Sequence, residues 1–88
     1  MVQRDVVVTN SLGIHARPAS LIVTTATPFD CDVLIEKEGT SANAKSIMSV
    51  MMLAAACGSK VTIKASGKEE QKAIDTLVLL FEAKFNEV

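Results

Sequence analysis

The chain has 88 residues, 49% of them hydrophobic, and its nine basic and ten acidic side chains give a formal net charge of −1. This length and apolar content favour one compact domain, residues 1–88, and argue against disorder. The near-neutral charge argues against direct nucleic-acid binding, which normally needs a clustered basic surface. The longest apolar stretch, 47–57, is about half of the roughly 20 residues that span a bilayer, so we expect no membrane insertion.

The first residues and the cysteines indicate the compartment. Residues 1–5 lack a basic region followed by an apolar one, so they do not resemble a secretory signal, and we expect a cytoplasmic protein. Cys31 and Cys57 lie outside any zinc or redox spacing, and the chain has one histidine. We therefore expect no metal, no cofactor, and two cysteines that are buried as small apolar residues.

A strand and a helix are predicted at the start of the chain. The β-branched run at 6–8 extends the apolar character of Val2 and stops at the turn formers of 9–13, which indicates a strand and then a loop. Over residues 16–27 the apolar positions recur with the spacing of an amphipathic helix. Pro18 lies in the first turn of that helix, where its missing N–H breaks no hydrogen bond.

The middle of the chain predicts a hairpin and a short helix. Residues 31–37 alternate between apolar and polar, the pair at 38–39 is typical of a hairpin turn, and 40–43 form the return strand. Ser46 suits the N-cap of a short helix that follows it. We expect Gly58 to end that helix.

The last third predicts a strand and a helix. Residues 60–66 alternate so that one face of the strand is wet, and the acidic pair at 69–70 suits a helix start. An apolar stripe with helical spacing follows, formed by Ile74, Leu77, Val78, Phe81 and Phe85. The order βαββαβα predicts an α+β open-faced sandwich, a four-stranded antiparallel sheet covered on one face by three helices.

His15 stands where the predicted loop becomes the first helix. The N–H groups of Ala16 and Arg17 have no helical partners there, and the helix dipole adds about half a positive charge, so this turn suits an anion. The same positive end favours a neutral imidazole, which keeps a lone pair for attack on phosphorus. The Arg17 guanidinium suits phosphoryl oxygens, and Gly13 leaves room for the backbone of another protein.

A solitary surface histidine is more often an incidental helix cap, but its neighbours here form a specific pattern. Residues 10–19, Asn-Ser-Leu-Gly-Ile-His-Ala-Arg-Pro-Ala, resemble the active-site signature of HPr, the histidine-containing phosphocarrier family of the bacterial phosphoenolpyruvate-dependent sugar phosphotransferase system. The resemblance covers the whole chain in length and element order. It implies that His15 accepts a phosphoryl group on Nδ1 from phospho-enzyme I and passes it to sugar-specific enzyme IIA proteins, while Arg17 steadies the phosphate.

A second segment, 43–54, resembles the regulatory region of HPr proteins. The resemblance implies that Ser46 is phosphorylated by an ATP-dependent HPr kinase/phosphorylase. A phosphate at a helix N-cap is tolerated there, and its negative charge is expected to inhibit transfer from enzyme I. The segment departs from the common form at Ser49, where glycine is frequent, and over residues 54–57.

The short helix is apolar nearly all round. We expect Ile47, Met48 and Met51 to remain exposed as an adaptable docking patch for partners. The alternative is a small helix that is buried completely.

Other roles stay open. A regulatory protein could act through phosphorylated Ser46 on a catabolite-control transcription factor, but the catabolite-repression HPr-like proteins that this resembles lack the active-site histidine. A nitrogen-regulatory phosphocarrier shares the His15 site and commonly lacks the kinase segment. An independent enzyme is disfavoured, because no group near His15 in sequence could act as its orienting acid or base, and no metal cluster or glycine-rich nucleotide loop is present.

Overall fold

The structure is a computed structural model that describes residues 1–87. Its elements are β1 (Val2–Val7), α1 (Ala16–Ala26), β2 (Cys31–Lys37), β3 (Thr40–Asn43), α2 (Ile47–Met52), β4 (Lys60–Gly67) and α3 (Glu70–Glu82), followed by a 3₁₀ turn at Lys84–Asn86. This order confirms the predicted βαββαβα pattern. None of the helices in residues 1–87 is long and apolar enough to cross a membrane.

The sheet is antiparallel with the strand order β1-β4-β2-β3. In the central strand β4, buried Val61, Ile63 and Ala65 alternate with more exposed polar residues. On the open face, Lys64 Nζ lies 2.9 Å from Glu36 Oε2 on the neighbouring strand β2. One face is therefore covered and the other solvated, which confirms the predicted open-faced sandwich.

The helices cover the apolar face of the sheet. Helix α1 buries Ala19, Ile22 and Ala26 along one side, as its spacing predicts. Helix α3 buries a longer stripe, formed by Ala73, Ile74, Leu77, Val78 and Phe81. Burying a large apolar side chain stabilises a fold by about 1.5–3 kcal/mol, so these two stripes hold the helices on the sheet.

The short helix ends earlier than predicted. Helix α2 stops at Met52, and the expectation that Gly58 ends it was wrong. Ala54 takes the left-handed conformation that closes many helices, with φ of 51°. The Lys37 ammonium also donates to the carbonyl oxygen of Ala54 at 3.2 Å, which satisfies a polar group at the helix end.

The cysteines also differ from the expectation of two buried thiols. Cys57 is exposed and Cys31 is half-buried. The physical reason for Cys57 is the early end of α2, which leaves this residue in the connection to β4 instead of on a packed helix.

The segment after α3 makes a sharp turn. Phe85 is fully buried, as predicted, but it does not continue the helix: Lys84, Phe85 and Asn86 have φ of 55°, 54° and 59°. Its ring packs edge-to-face on Phe81 with ring centroids 4.8 Å apart. The turn redirects the chain, so that the next residue, Glu87, reaches the start of α1.

Candidate functional site

The loop between β1 and α1 is held by the loop that follows α2. The Ile14 N–H donates to the carbonyl oxygen of Ala55 at 2.8 Å. Gly13 has φ of +70°, and a Cβ there would lie 2.6 Å from that same oxygen. We expected Gly13 to make room for the backbone of another protein. The structure gives a different reason for glycine here, because the backbone that approaches it belongs to this chain.

His15 is the N-cap residue of α1, as predicted. Its backbone is extended, with φ of −97° and ψ of −165°, and its carbonyl oxygen accepts the first helical hydrogen bond, from the Ala19 N–H at 3.0 Å. The N–H groups of Ala16 and Arg17 consequently have no acceptor within the helix, and Pro18 has no N–H to satisfy. The imidazole is 38% exposed, so a partner can reach it.

Asn10 is a buried residue that links the loop before α1 to Glu87. Its side chain is fully buried, and its Nδ2 donates to the Gly13 carbonyl oxygen at 2.6 Å and to Glu87 Oε1 at 2.8 Å. Its Oδ1 has no hydrogen-bond partner among the described residues. Because a buried amide is costly unless it is bonded, these two donations fix the loop and tie it to Glu87.

Glu87 is the site residue that the sequence did not reveal. Its Oε1 lies 3.0 Å from His15 Nε2, its Oε2 lies 3.7 Å from Arg17 Nη1, and its side chain is only 12% exposed. Hydrogen bonds from His15 and then from Asn10 hold the pKa of this carboxyl below its ordinary value, against the opposite effect of desolvation. The group is therefore an anion near neutral pH, and an ionised carboxylate only accepts hydrogen bonds.

Arg17 is close to the imidazole but loosely held. Its side chain is 62% exposed, and its contact with Glu87 is long for a charge-assisted hydrogen bond. Because the guanidinium is mostly in solvent and the contact is long, the pair contributes no more than about 1 kcal/mol, so the guanidinium can move without a large loss. The structure thus brings His15, Arg17 and Glu87 together at the N-terminal end of α1.

Ser46 and the short helix form a second region. Ser46 is the N-cap of α2, as predicted, and its Oγ accepts from the Ser49 N–H at 3.3 Å. Ile47, Met48 and Met51 are exposed, with Met48 at 71%, which agrees with an uncovered apolar patch. Helix α2 buries Val50 instead.

Two further exposed apolar side chains were not predicted. Met52, in α2, and Leu12, in the loop between β1 and α1, are also largely exposed. Nothing in the apolar spacing of α2 distinguished Met52 from its neighbours.

His15 does not lie in an enclosed pocket. A groove of about 580 Å³ runs between β1 and α3, and its walls include Arg4, Val7 and Phe81 but none of the predicted site residues. Within residues 1–87, no cluster of three or more histidine, cysteine or acidic side chains is arranged to hold a metal ion. The open setting of His15 suits chemistry that a docked partner encloses.

Comparison with known proteins settles the family. The family described as the PTS HPr component phosphorylation site matches residues 2–83. The chain belongs to the HPr family. Proteins of this family are phosphocarriers of the phosphotransferase system and not independent catalysts, so the resemblance that the sequence suggested is confirmed.

Relatives and solved structures agree with this assignment. The phosphocarrier protein HPr of Treponema pallidum is 44% identical over 87 residues, which cover 99% of both chains. The HPr-like protein Crh of Bacillus subtilis is 48% identical over 77 residues, 88% of this chain and 91% of Crh. A crystal structure of HPr from Thermoanaerobacter tengcongensis superimposes with a TM-score of 0.96 at 42% identity, covering 100% of this chain and 99% of that one.

Proposed function

We propose that residues 1–88 form one cytoplasmic domain that carries phosphoryl groups for bacterial sugar uptake. His15 accepts the group from phospho-enzyme I and delivers it to sugar-specific enzyme IIA proteins. The observation that carries the proposal is an exposed imidazole at the N-terminal end of α1, with the Arg17 guanidinium beside it.

The transfer step needs a nucleophile and an anion site. The His15 Nδ1 lone pair forms the new bond to phosphorus, while the bond from phosphorus to the donor breaks and its electron pair leaves with the donor. The incoming oxygens are stabilised by the N–H groups of Ala16 and Arg17 and by the helix dipole, which contributes about 0.3–1 kcal/mol at an exposed site. The Arg17 side chain turns from Glu87 to the phosphoryl oxygens.

The same surface serves both donor and acceptor. Ile47, Met48 and Met51 give an apolar docking patch, and flexible methionines adapt to partners of different shape. Because His15 is exposed and does not line the groove between β1 and α3, each partner supplies the enclosed environment for its own transfer.

Ser46 carries the proposed regulation. Its half-buried hydroxyl directly precedes the exposed residues of α2, so phosphorylation by an HPr kinase/phosphorylase adds up to two negative charges beside the docking patch. The added charge opposes docking of enzyme I. The likeness to Crh, the catabolite-repression HPr of Bacillus subtilis, favours a catabolite-control transcription factor as a partner of the phosphorylated form.

Site-resolved mass spectrometry tests these assignments. Incubation with phosphoenolpyruvate and enzyme I is expected to label His15 alone, and ATP with HPr kinase/phosphorylase is expected to label Ser46 alone. His15→Ala should abolish only the first label and Ser46→Ala only the second. Folded wild-type protein that enzyme I leaves unlabelled would contradict the carrier role.

The acceptor distinguishes sugar transport from the nitrogen-regulatory alternative. A nitrogen-regulatory phosphocarrier would use the same His15 chemistry, so labelling of His15 does not separate the two. Delivery of the phosphoryl group to a sugar-specific enzyme IIA supports the proposal. Delivery only to a nitrogen-branch acceptor would overturn the sugar-transport part of it.

A further inference from the structure

Glu87 constrains the chemistry of the imidazole. Its Oε1 is within hydrogen-bond distance of His15 Nε2, at 3.0 Å, and the same oxygen accepts from buried Asn10. Since the ionised carboxylate has no proton to donate, the hydrogen of a neutral imidazole must sit on Nε2 for this contact to form. Nδ1 is then the nitrogen with the free lone pair.

The placement of Glu87 is built into the fold. Three successive non-glycine residues, Lys84, Phe85 and Asn86, have left-handed φ values. This conformation costs roughly 1–2 kcal/mol each for Lys84 and Phe85, whereas asparagine adopts it more readily. Buried Phe85 anchors this strained turn against Phe81. Such strain persists only where packing enforces it, and here it delivers a carboxylate to His15 from 72 positions along the chain.

We propose that Glu87 is a positioning residue, which holds His15 as the Nε2–H tautomer and thereby makes Nδ1 the phosphoryl acceptor. The inference rests on the proposed function and extends it. It assigns the choice of nitrogen to this chain itself, before any partner has docked.

The charge balance of the step gives Glu87 a second effect. When the Nδ1 lone pair bonds to phosphorus, the proton stays on Nε2, and the ring becomes a cation. Glu87 faces that N–H and stabilises the charge as it develops, in the way that a buried aspartate supports the histidine of a serine protease. In the onward step the phosphorus–Nδ1 bond breaks, its electron pair returns to the ring, and the imidazole is neutral again with its hydrogen still on Nε2.

A small phosphoryl donor tests the proposal without enzyme I. Phosphoramidate can label either ring nitrogen, and ¹⁵N and ³¹P NMR distinguish the two phosphohistidine isomers. Wild-type protein is expected to give the Nδ1 isomer, because Glu87 occupies Nε2. Glu87→Ala is expected to add the Nε2 isomer, whereas Glu87→Gln should retain Nδ1 selectivity, because its amide oxygen can still accept from Nε2–H.

Kinetics with enzyme I supply a second readout. Glu87→Gln is expected to lower kcat about tenfold, since it removes one charge-assisted contact to the developing cation, and to leave KM nearly unchanged, since the residue is almost covered. The matched control is Glu82→Gln, which removes the same charge from an exposed position on α3. Melting temperatures establish that each variant is folded, and Glu87→Gln carries the test if Glu87→Ala does not fold.

The outcomes separate this proposal from the carrier role. Nε2 phosphorylation of the wild type, or identical isomers and rates in all Glu87 variants, would overturn the positioning role. If isomer selectivity depends on Glu87 but enzyme I never labels the protein, the positioning role stands and the proposed carrier function fails.

Discussion

At the scale of single residues, the unphosphorylated site already contains an anion, the Glu87 carboxylate, next to the side chains proposed to bind the phosphoryl group. Glu87 contacts both Arg17, at 3.7 Å, and His15, at 3.0 Å. The longer contact is the weaker one, so Arg17 is the group that can exchange partners while His15 keeps its contact with Glu87. We infer that phosphorylation moves the guanidinium and leaves the imidazole in place.

Replacing Arg17 should affect transfer and not folding. Its side chain is mostly exposed, so Arg17→Ala is expected to change the free energy of unfolding by no more than about 0.5 kcal/mol. Loss of the guanidinium should slow phosphoryl transfer from enzyme I at least tenfold. Rapid-quench transfer rates and urea denaturation measure the two effects, with exposed Lys72→Ala on α3 as the matched loss of a positive charge. Wild-type transfer by Arg17→Ala would contradict the assigned role.

Gly13 should be needed for stability. A Cβ at this position meets the Ala55 carbonyl oxygen at 2.6 Å and also requires a side chain at positive φ. Gly13→Ala is therefore expected to lower the free energy of unfolding by about 2–3 kcal/mol. Gly39→Ala is the control, because Gly39 also has positive φ but a Cβ there would meet no atom within 4 Å, so a loss of about 1 kcal/mol is expected. Equal losses from the two substitutions in urea denaturation would refute the close-contact explanation.

The sequence reveals the site residues unequally, for a physical reason. His15 and Arg17 can be predicted because a helix start is a local feature, written in a few consecutive residues. Glu87 cannot, since its contact with His15 depends on how α3 packs and on a left-handed turn that the types of Lys84 and Phe85 do not favour. In the sequence, Asn10 is predicted only as part of a turn. Its complete burial and its hydrogen bond to Glu87 show that it supports the site.

At the scale of elements, alternation predicts strands better than composition predicts helix ends. The bounds of β2 and β3 agree with prediction because the apolar alternation and the intervening turn pair are both local. The predicted end of α2 was wrong because glycine is the residue that usually takes the left-handed conformation after a helix. Here Ala54 takes that conformation, and its carbonyl oxygen accepts a hydrogen bond from Lys37.

Ala54→Gly should stabilise the protein. Glycine removes the Cβ clash of the left-handed conformation at the end of α2, and the expected gain in free energy of unfolding is about 1 kcal/mol. Ala83→Gly at the end of α3 is the matched control, because Ala83 has φ of −80° and gains nothing from glycine. Thermal and urea unfolding measure both, and a loss of stability in Ala54→Gly would show that φ at this position is not strained.

At the scale of the whole molecule, the fold class follows from the order and periodicity of the elements, whereas the contact between Glu87 and the His15 loop does not. The open-faced sandwich needs only one wet sheet face and helices with single apolar stripes. The contact of Glu87 with the 10–17 region joins distant parts of the chain, and such long-range contacts leave no periodic trace in the sequence.

Acid should weaken this long-range contact. His15, Asn10 and Arg17 face the Glu87 carboxylate, and they hold its pKa below the value of about 4.3 expected in the unfolded chain. A lowered folded pKa means that the stabilisation is complete above about pH 4.3 and is lost as the pH falls through the folded pKa. The stability difference between wild type and Glu87→Gln should therefore shrink as the pH falls from about 4.3 to about 3.

Denaturation series at several pH values measure this difference. Glu36 and Glu70 also have lowered pKa values, but they titrate alike in both proteins and cancel in the comparison. Glu82→Gln, on the exposed side of α3, should show no such trend. A wild-type advantage over Glu87→Gln that stays constant down to pH 3 would mean that the carboxylate charge does not stabilise the fold.

The central claim is that this chain both accepts and delivers a phosphoryl group through His15. The most direct measurement mixes ³²P-labelled phosphoenolpyruvate, enzyme I and a sugar-specific enzyme IIA, and follows the label on the last protein. We expect enzyme IIA to become labelled rapidly when catalytic amounts of this chain are present, and not with His15→Ala in its place. Labelling of enzyme IIA that is equally fast with His15→Ala, or that fails with the folded wild-type chain, would contradict the account.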